Sequence, residues 1–261
     1  MIGIFDSGLG GLTVARAIMD ALPGYDIVYF GDTARTPYGA KSASTVEKYA
    51  IEDTRLLLDR GAKIIVIACN SASSVATDSI MQQFHVPVFE VITPAVETAV
   101  SVTKTGAIGV IGTRATIASG IYEKKIIERR SDARVYSIAC PLLVPLVEEG
   151  WMKKPETAMI IRKYLQPLKT KPIDALILGC THYPILKNII ERKIRKTVRA
   201  IDSATVVAQS VKQHIESHSD TAAMLSTGGE TRFFVSDVTE QFKKTAQMIL
   251  NRNIRLEHIS I

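Results

Sequence analysis

Short apolar runs rich in β-branched residues recur along the chain at Ile2–Phe5, Ile27–Phe30, Ile64–Ile67, Val86–Val91, Ile108–Ile111, Arg134–Ile138 and Ala175–Leu178. Thr197–Ile201 and Arg232–Val235 are later candidates. Between these runs, apolar positions fall at helical spacing over Leu9–Leu22, Thr45–Arg60, Thr116–Arg129, Glu156–Leu168, Ala204–Ile215 and Val238–Leu250. Strand and helix in alternation predict an α/β fold of mainly parallel sheets covered by helices. The runs are continuous rather than alternating, as in strands buried on both faces. His218–Gly229 is the most loop-like stretch.

The pattern repeats. Ile2-Gly3-Ile4-Phe5 resembles Ile108-Gly109-Val110-Ile111 at an offset of 106, and Tyr29 and Tyr136 begin similar stretches at an offset of 107. Ile64 to Cys69 resembles Ala175 to Cys180 at an offset of 111. Nearly constant offsets indicate two copies of one unit, each closing its third strand with a cysteine. The segment after the second copy has a helix–strand–helix pattern that can return to the first. The expected organisation is two pseudo-symmetric α/β domains, one of residues 1–93 plus 206–261 carrying Cys69, the other of residues 94–205 carrying Cys180. Thr93-Pro94 and the region of Ser203 are the expected crossings.

Composition narrows the classes. Of 261 residues, 46% are hydrophobic and 22% charged, enough to bury a core and unlike a disordered chain. No apolar run approaches the roughly 18 residues of a membrane span. The opening Met1-Ile2-Gly3-Ile4-Phe5-Asp6 lacks the basic start of a secretory signal. Three cysteines, Cys69, Cys140 and Cys180, do not describe a disulfide framework, so a reducing cytoplasm is expected. The net charge of +6 raises nucleic acid as a partner. The basic residues, however, interleave with acids, as in Glu123-Lys124-Lys125 and Glu191-Arg192-Lys193. The densest basic stretch, Lys187–Arg199, also carries Ile189, Ile190, Ile194 and Val198 at near-helical spacing, the pattern of a solvated helix face.

Cys69 and Cys180 each stand where a strand ends and a helix is expected to begin. Asn70 and Ser71 suit a helix N-terminus, and Pro184 suits a first turn. Strand carboxyl ends are where parallel sheets bind ligands, and helix N-termini there offer free N–H groups and positive potential. That setting is expected to lower a thiol pKa and to hold a substrate carboxylate. Cys140 sits in an apolar stretch and reads as a core residue. The cysteines lack the close pairing of a structural zinc site, so no metal is expected. Asp6-Ser7-Gly8-Leu9-Gly10-Gly11 is glycine-rich but lacks both the dinucleotide spacing and a phosphate-loop lysine. Asp32, Tyr38 and Gly39 follow the second strand and face the same sheet edge as Asp6, while Glu148 and His182 belong to the second copy. Two opposed thiols without a cofactor motif fit inversion at a stereocentre, one base removing a proton and the other returning one.

The motifs Phe5-Asp6-Ser7-Gly8-Leu9-Gly10-Gly11, Gly31-Asp32-Thr33-Ala34-Arg35, Pro37-Tyr38-Gly39, Ala68-Cys69-Asn70-Ser71-Ala72-Ser73, Gly112-Thr113, Cys140-Pro141 and Gly179-Cys180-Thr181-His182-Tyr183-Pro184 together resemble the glutamate racemases of the aspartate/glutamate racemase family. The resemblance runs from Ile2 to about Ser203. It implies an active site in the cleft between the two domains. It also implies cofactor-independent interconversion of L- and D-glutamate, supplying D-glutamate for peptidoglycan. By the same resemblance, Cys69 takes the proton from D-glutamate and Cys180 from L-glutamate, assisted by Asp6, Asp32, Glu148 and His182. Asp6, Ser7, Tyr38, Gly39, Asn70, Ser71, Thr181 and His182 line the substrate. A homodimer is expected, with no membrane or nucleic-acid partner required. The N-terminal extension that accompanies activation by a nucleotide precursor in some members is not seen, so that regulation is not expected. A racemase of aspartate or another amino acid is the alternative, and a nucleic-acid-binding protein a distant one.

Overall fold

A computed structural model describes residues 1–260, so Ile261 of the expected 206–261 segment lies outside the described residues. The first part of the chain contains β1 (Ile2–Asp6), α1 (Leu12–Ala21), β2 (Ile27–Gly31), α2 (Ala43–Asp59), β3 (Ile64–Ile67), α3 (Asn70–Gln83), β4 (Val88–Glu90) and α4 (Ile92–Val102). The second part contains β5 (Ala107–Gly112), α5 (Arg114–Ala118), α6 (Ile121–Arg129), β6 (Arg134–Ala139), α7 (Leu143–Glu148), α8 (Pro155–Lys169), β7 (Ala175–Gly179), α9 (Lys187–Lys193) and β8 (Arg199–Asp202). The remainder is α10 (Ser203–Ser217), α11 (Ser219–Met224), β9 (Thr231–Val235), α12 (Glu240–Leu250) and β10 (Leu256–His258).

The strands form two all-parallel sheets, ordered β10-β9-β2-β1-β3-β4 and β6-β5-β7-β8. Four strands of the first sheet, β2-β1-β3-β4, have the order of the whole second sheet. The register repeats as well: Phe5 pairs with Ile67, and their counterparts Ile111 and Leu178 also pair. One local detail appears twice. A Cβ at Gly3 would lie 2.7 Å from Ala62 and 3.2 Å from Ile65, and a Cβ at Gly109 would lie 2.9 Å from Ile173 and 3.0 Å from Leu176. Each copy therefore uses a glycine where its first and third strands come closest.

Side-chain alternation divides the core. Ile2 and Ile4 join an apolar cluster that continues through α1 and α10 into the second half. Phe5, Val28, Phe30, Ile65 and Ile67 pack on the opposite face against Val46, Ala50 and Leu57 of α2 and Ala72, Ala76 and Ile80 of α3. Each fully buried Ile or Phe contributes roughly 1.5–3 kcal/mol relative to exposure. Surface pairs such as Lys124–Glu128, at 4.0 Å, contribute about 0–1 kcal/mol. Strand burial, not surface charge, therefore holds the fold.

Several boundaries differ from the sequence expectation. The helix expected over Thr116–Arg129 is two helices, because Gly120 takes a left-handed conformation at φ 67° between them. Thr93-Pro94, the expected crossing, lies in the first turn of α4, a helix unread in the sequence, where proline's missing N–H costs nothing. Glu90 caps that turn, accepting from the Ile92 and Thr93 N–H groups. Half of the loop expected at His218–Gly229 is α11. β10, unread in the sequence, extends the first sheet beside β9.

Candidate active site

The loop after β1 folds around a buried carboxylate. Asp6 accepts from the Gly8 N–H at 2.9 Å and from Thr181 Oγ1 at 3.2 Å, the latter across from the second half. Burial raises its pKa, and positive charge at His182 opposes the rise. The glycines make the approach possible. A Cβ at Gly11 would lie 2.2 Å from Asp6, and one at Gly10 would lie 2.3 Å from Thr181 Oγ1 and 2.4 Å from His182 Nδ1. Tyr29 fixes the loop by donating to the Gly8 carbonyl at 2.6 Å.

Cys69 follows β3 by two residues and occupies the N-cap of α3, with Ser73 N–H bonded to its carbonyl at 2.8 Å. Its Sγ lies 3.6 Å from Ser7 Oγ. The helix N-terminus was expected to lower its pKa, but the structure reverses that expectation. Burial and then the Asp6 carboxylate push the thiol up to about 12, with Cys180 near enough to add to the rise. The Ala72 N–H and Ser7 hydroxyl act against this and are outweighed. Cys69 is held as a thiol.

Cys180 ends β7, the equivalent strand. The helix expected directly after it begins as a 3-10 turn over Tyr183–Leu186, and α9 follows at Lys187. Its Sγ stands 3.7 Å from His182 Nδ1, and His182 Nε2 stands 3.2 Å from Glu148 at the end of α7. Burial alone would pull the imidazole down. Hydrogen bonds to Cys180 and Glu148 overcome it and raise the pKa to about 10. Imidazolium N–H groups then face an acceptor on each side. The two thiols thus have different companions, Asp6 and Ser7 for one and a His182–Glu148 pair for the other. Cys140 is buried with its pKa pushed up to about 12 by that burial, as a core cysteine.

Both site cysteines are nearly closed off, at 5% and 4% exposure. The large cavity of about 1270 Å³ bordered by α1, α9, α10 and α12 does not include them. Among the described residues, no group of three or more His, Cys, Asp or Glu is placed to hold a metal ion.

Residues 12–211, more than half of the chain, match the Asp/Glu/Hydantoin racemase family. The chain belongs to this family. A glutamate racemase from Persephonella marina is 44% identical over 260 residues, covering 100% of this chain and 97% of the relative. The glutamate racemase isoform RacE1 from Bacillus anthracis superposes with a TM-score of 0.94 at 35% identity, covering 100% of this chain and 97% of that one. A Francisella tularensis glutamate racemase in complex with D-glutamate gives 0.91 at 37%, covering 99% and 97%. An aspartate racemase homologue from Pyrococcus horikoshii, at 18% identity and a TM-score of 0.59 over 83% of this chain and 99% of that one, shares the fold alone.

In this racemase the other expected residues fall into two groups. Asn70 and Ser71 join hands with the second half. Tyr122 donates to Asn70 Oδ1 at 2.7 Å, leaving Asn70 Nδ2 buried without a protein partner. Ser71 Oγ lies 3.0 Å from Thr113 and 3.3 Å from Thr116. Gly39 touches the same Thr113, since a Cβ there would come within 2.6 Å. Asp32 and the Tyr38 side chain instead turn into the first half. Asp32 binds Arg35 at 2.6 Å, Ser236 at 3.0 Å and the Tyr38 hydroxyl, and has no hydrogen bond to a thiol. Tyr38 is fully buried, so it reaches the cleft through the turn it anchors. Thr113, Thr116 and Tyr122, which the fold brings against Ser71, Asn70 and Gly39, were not among the residues expected from the sequence. The offset of 106 maps Ser7 onto Thr113, a signal available in the sequence.

Proposed function

We propose that this chain is an amino-acid racemase, an isomerase that interconverts L- and D-glutamate by two-base proton transfer without a cofactor. One observation carries the reading: two thiols end equivalent strands of duplicated sheets, each with its own acid–base companions, in one closed site. Full-length similarity to glutamate racemases supports glutamate rather than aspartate as substrate. By the family's role, D-glutamate would go to peptidoglycan.

From L-glutamate, Cys180 as thiolate takes the Cα proton, and the Cys69 thiol delivers its proton to the opposite face. Cys180 ends as thiol and Cys69 as thiolate, and D-glutamate leaves. The reverse reaction exchanges the roles. The high pKa of Cys69 suits it to wait as the proton donor, and His182, backed by Glu148, is the group placed to exchange protons with Cys180. A Cα–H is a very weak acid, so charge developing on the substrate carboxylate must meet donors already in place. Each such donor is worth about 10²–10³-fold in rate. The Asn70 amide, held in one orientation by Tyr122, is a free donor of this kind. Ser7, Ser71, Thr181 and the Tyr38–Gly39 turn complete the substrate lining, and Asp32 contributes by holding that turn.

We also infer that residues 1–93 plus 206–261 and residues 94–205 move as two domains about α4 and α10. Among the described residues no helix is long and apolar enough to cross a membrane. A cytoplasmic setting is supported by three free cysteines, and a homodimer by the family resemblance.

The test is optical rotation of L-glutamate incubated with purified protein and no added cofactor. Rotation is expected to decay to zero, and Cys180→Ser to slow the decay by at least about 10²–10⁴-fold. Decay with L-aspartate but not L-glutamate would select the alternative substrate, and a near-native rate in Cys180→Ser would overturn the two-base scheme.

A further inference from the structure

The turn that carries Tyr38 and Gly39 rests on a buried cluster with an uneven proton count. Arg35 reaches three carboxylates: Asp32 at 2.6 Å, Asp53 at 3.0 Å, and Glu52. Its guanidinium also lies over the Tyr49 ring, 4.0 Å from the centroid. The Tyr38 hydroxyl is within hydrogen-bond reach of Asp32 Oδ2 and of Asp53 Oδ2, the second at 2.9 Å. Tyr38, Asp32 and Asp53 are all fully buried.

A phenol has one proton and can donate to only one of the two carboxyl groups. The other contact needs a proton on the carboxyl side. Asp32 already accepts on both oxygens, from Arg35 at Oδ2 and from Ser236 at Oδ1. Asp53 has Arg35 on its other oxygen and nothing else. Two buried anions and a third carboxylate around a single guanidinium would also leave excess negative charge away from water, which is costly.

We propose that Asp53 is protonated in the resting protein and is a positioning residue for the Tyr38–Gly39 turn. Its hydroxyl donates to the Tyr38 oxygen, Tyr38 donates to Asp32, and Asp32 accepts from Arg35 and Ser236. The chain of bonds runs from the middle of α2 to the end of β2. From there Asp32 N–H continues to the Asp6 carbonyl at 2.9 Å, beside the thiol site. Burial and then the Asp32 charge drive the Asp53 carboxyl well above the usual carboxylate range, in agreement with the geometry. The sequence bears a trace of this role: Asp53 interrupts the buried face of α2 formed by Val46, Ala50 and Leu57.

The test compares Asp53→Asn with Asp53→Leu. An amide can donate to Tyr38 and accept from Arg35, as the neutral acid does, whereas leucine can do neither. Infrared difference spectra of wild type against Asp53→Asn at pH 8 are expected to show a protonated-carboxyl C=O band present only in the wild type. Kinetically, Asp53→Asn is expected to keep kcat and KM for glutamate within about twofold. Asp53→Leu is expected to raise KM about tenfold with a smaller change in kcat, the scale of one lost buried hydrogen bond. Absence of the band would overturn the protonation. Equal damage in both variants, or a fall in Tm with KM unchanged in Asp53→Leu, would overturn the positioning role. The kinetic arm rests on the glutamate reading. The infrared arm does not use the reaction, so failure of one is distinguishable from failure of the other.

Discussion

At the scale of single residues, the site is a set of raised proton affinities. His182 holds its proton more tightly folded than unfolded, with a pKa moved from 6.5 to about 10. It therefore adds stability in full below about pH 6.5 and loses that contribution as the pH rises through about 10. Cys69, moved from 9.0 to about 12, acts in the same direction at higher pH. Unfolding free energy measured in urea is expected to fall between pH 7 and 10, and to fall less steeply in His182→Asn. The same slope in both proteins would mean that His182 is not the group responsible. The placement of Cys69 and Cys180 after equivalent strands was legible in the sequence, because unbroken apolar runs mark where those strands end. What the sequence concealed was the balance at Cys69. A helix N-terminus is visible as a motif, but burial beside Asp6 depends on a loop folding back and on Thr181 arriving from the other half. The partners Tyr122 and Thr116 were hidden for a similar reason, since they meet Asn70 and Ser71 from the second half.

At the scale of elements, duplication is written into the packing of the first and third strands of each half. The two glycines at that contact are not equally replaceable. A Cβ at Gly3 meets Ala62 Cβ at 2.7 Å, an atom tied to the backbone, whereas at Gly109 it meets Ile173 Cδ1 at 2.9 Å, the end of a flexible side chain. Overpacking a core costs about 1–3 kcal/mol. Gly3→Ala is expected near the upper end and Gly109→Ala near the lower, measured as the shift in denaturant midpoint. The reverse order would show that the halves relax differently from their common register. The strands themselves were the most legible elements, since parallel strands buried on both faces leave unbroken apolar runs. Helices were harder where short. α5 and α6 read as one helix until Gly120 divides them, and α4 goes unread because Pro94 suits a first helical turn as well as a linker.

At the scale of the whole molecule, the halves meet through small groups: Gly10 on Thr181 and His182, Gly39 on Thr113, Ser71 among Thr113 and Thr116, and Tyr122 on Asn70. These contacts close water away from the thiols and strengthen the electrostatics between them. Iodoacetamide is therefore expected to label Cys69 and Cys180 far more slowly than in the denatured chain, and more slowly still with saturating glutamate. Labelling as fast as in denaturant would contradict a closed resting site. The most direct test of two opposed thiols is isotopic. L-glutamate is incubated with the protein in D₂O without cofactor, and both enantiomers are recovered early in the reaction. Two-base transfer is expected to put deuterium on Cα of the D-glutamate formed while the remaining L-glutamate keeps its protium. Deuterium entering both enantiomers equally from the start would mean a single base serving both faces, and would contradict the assignment of Cys69 and Cys180 to opposite sides of the substrate.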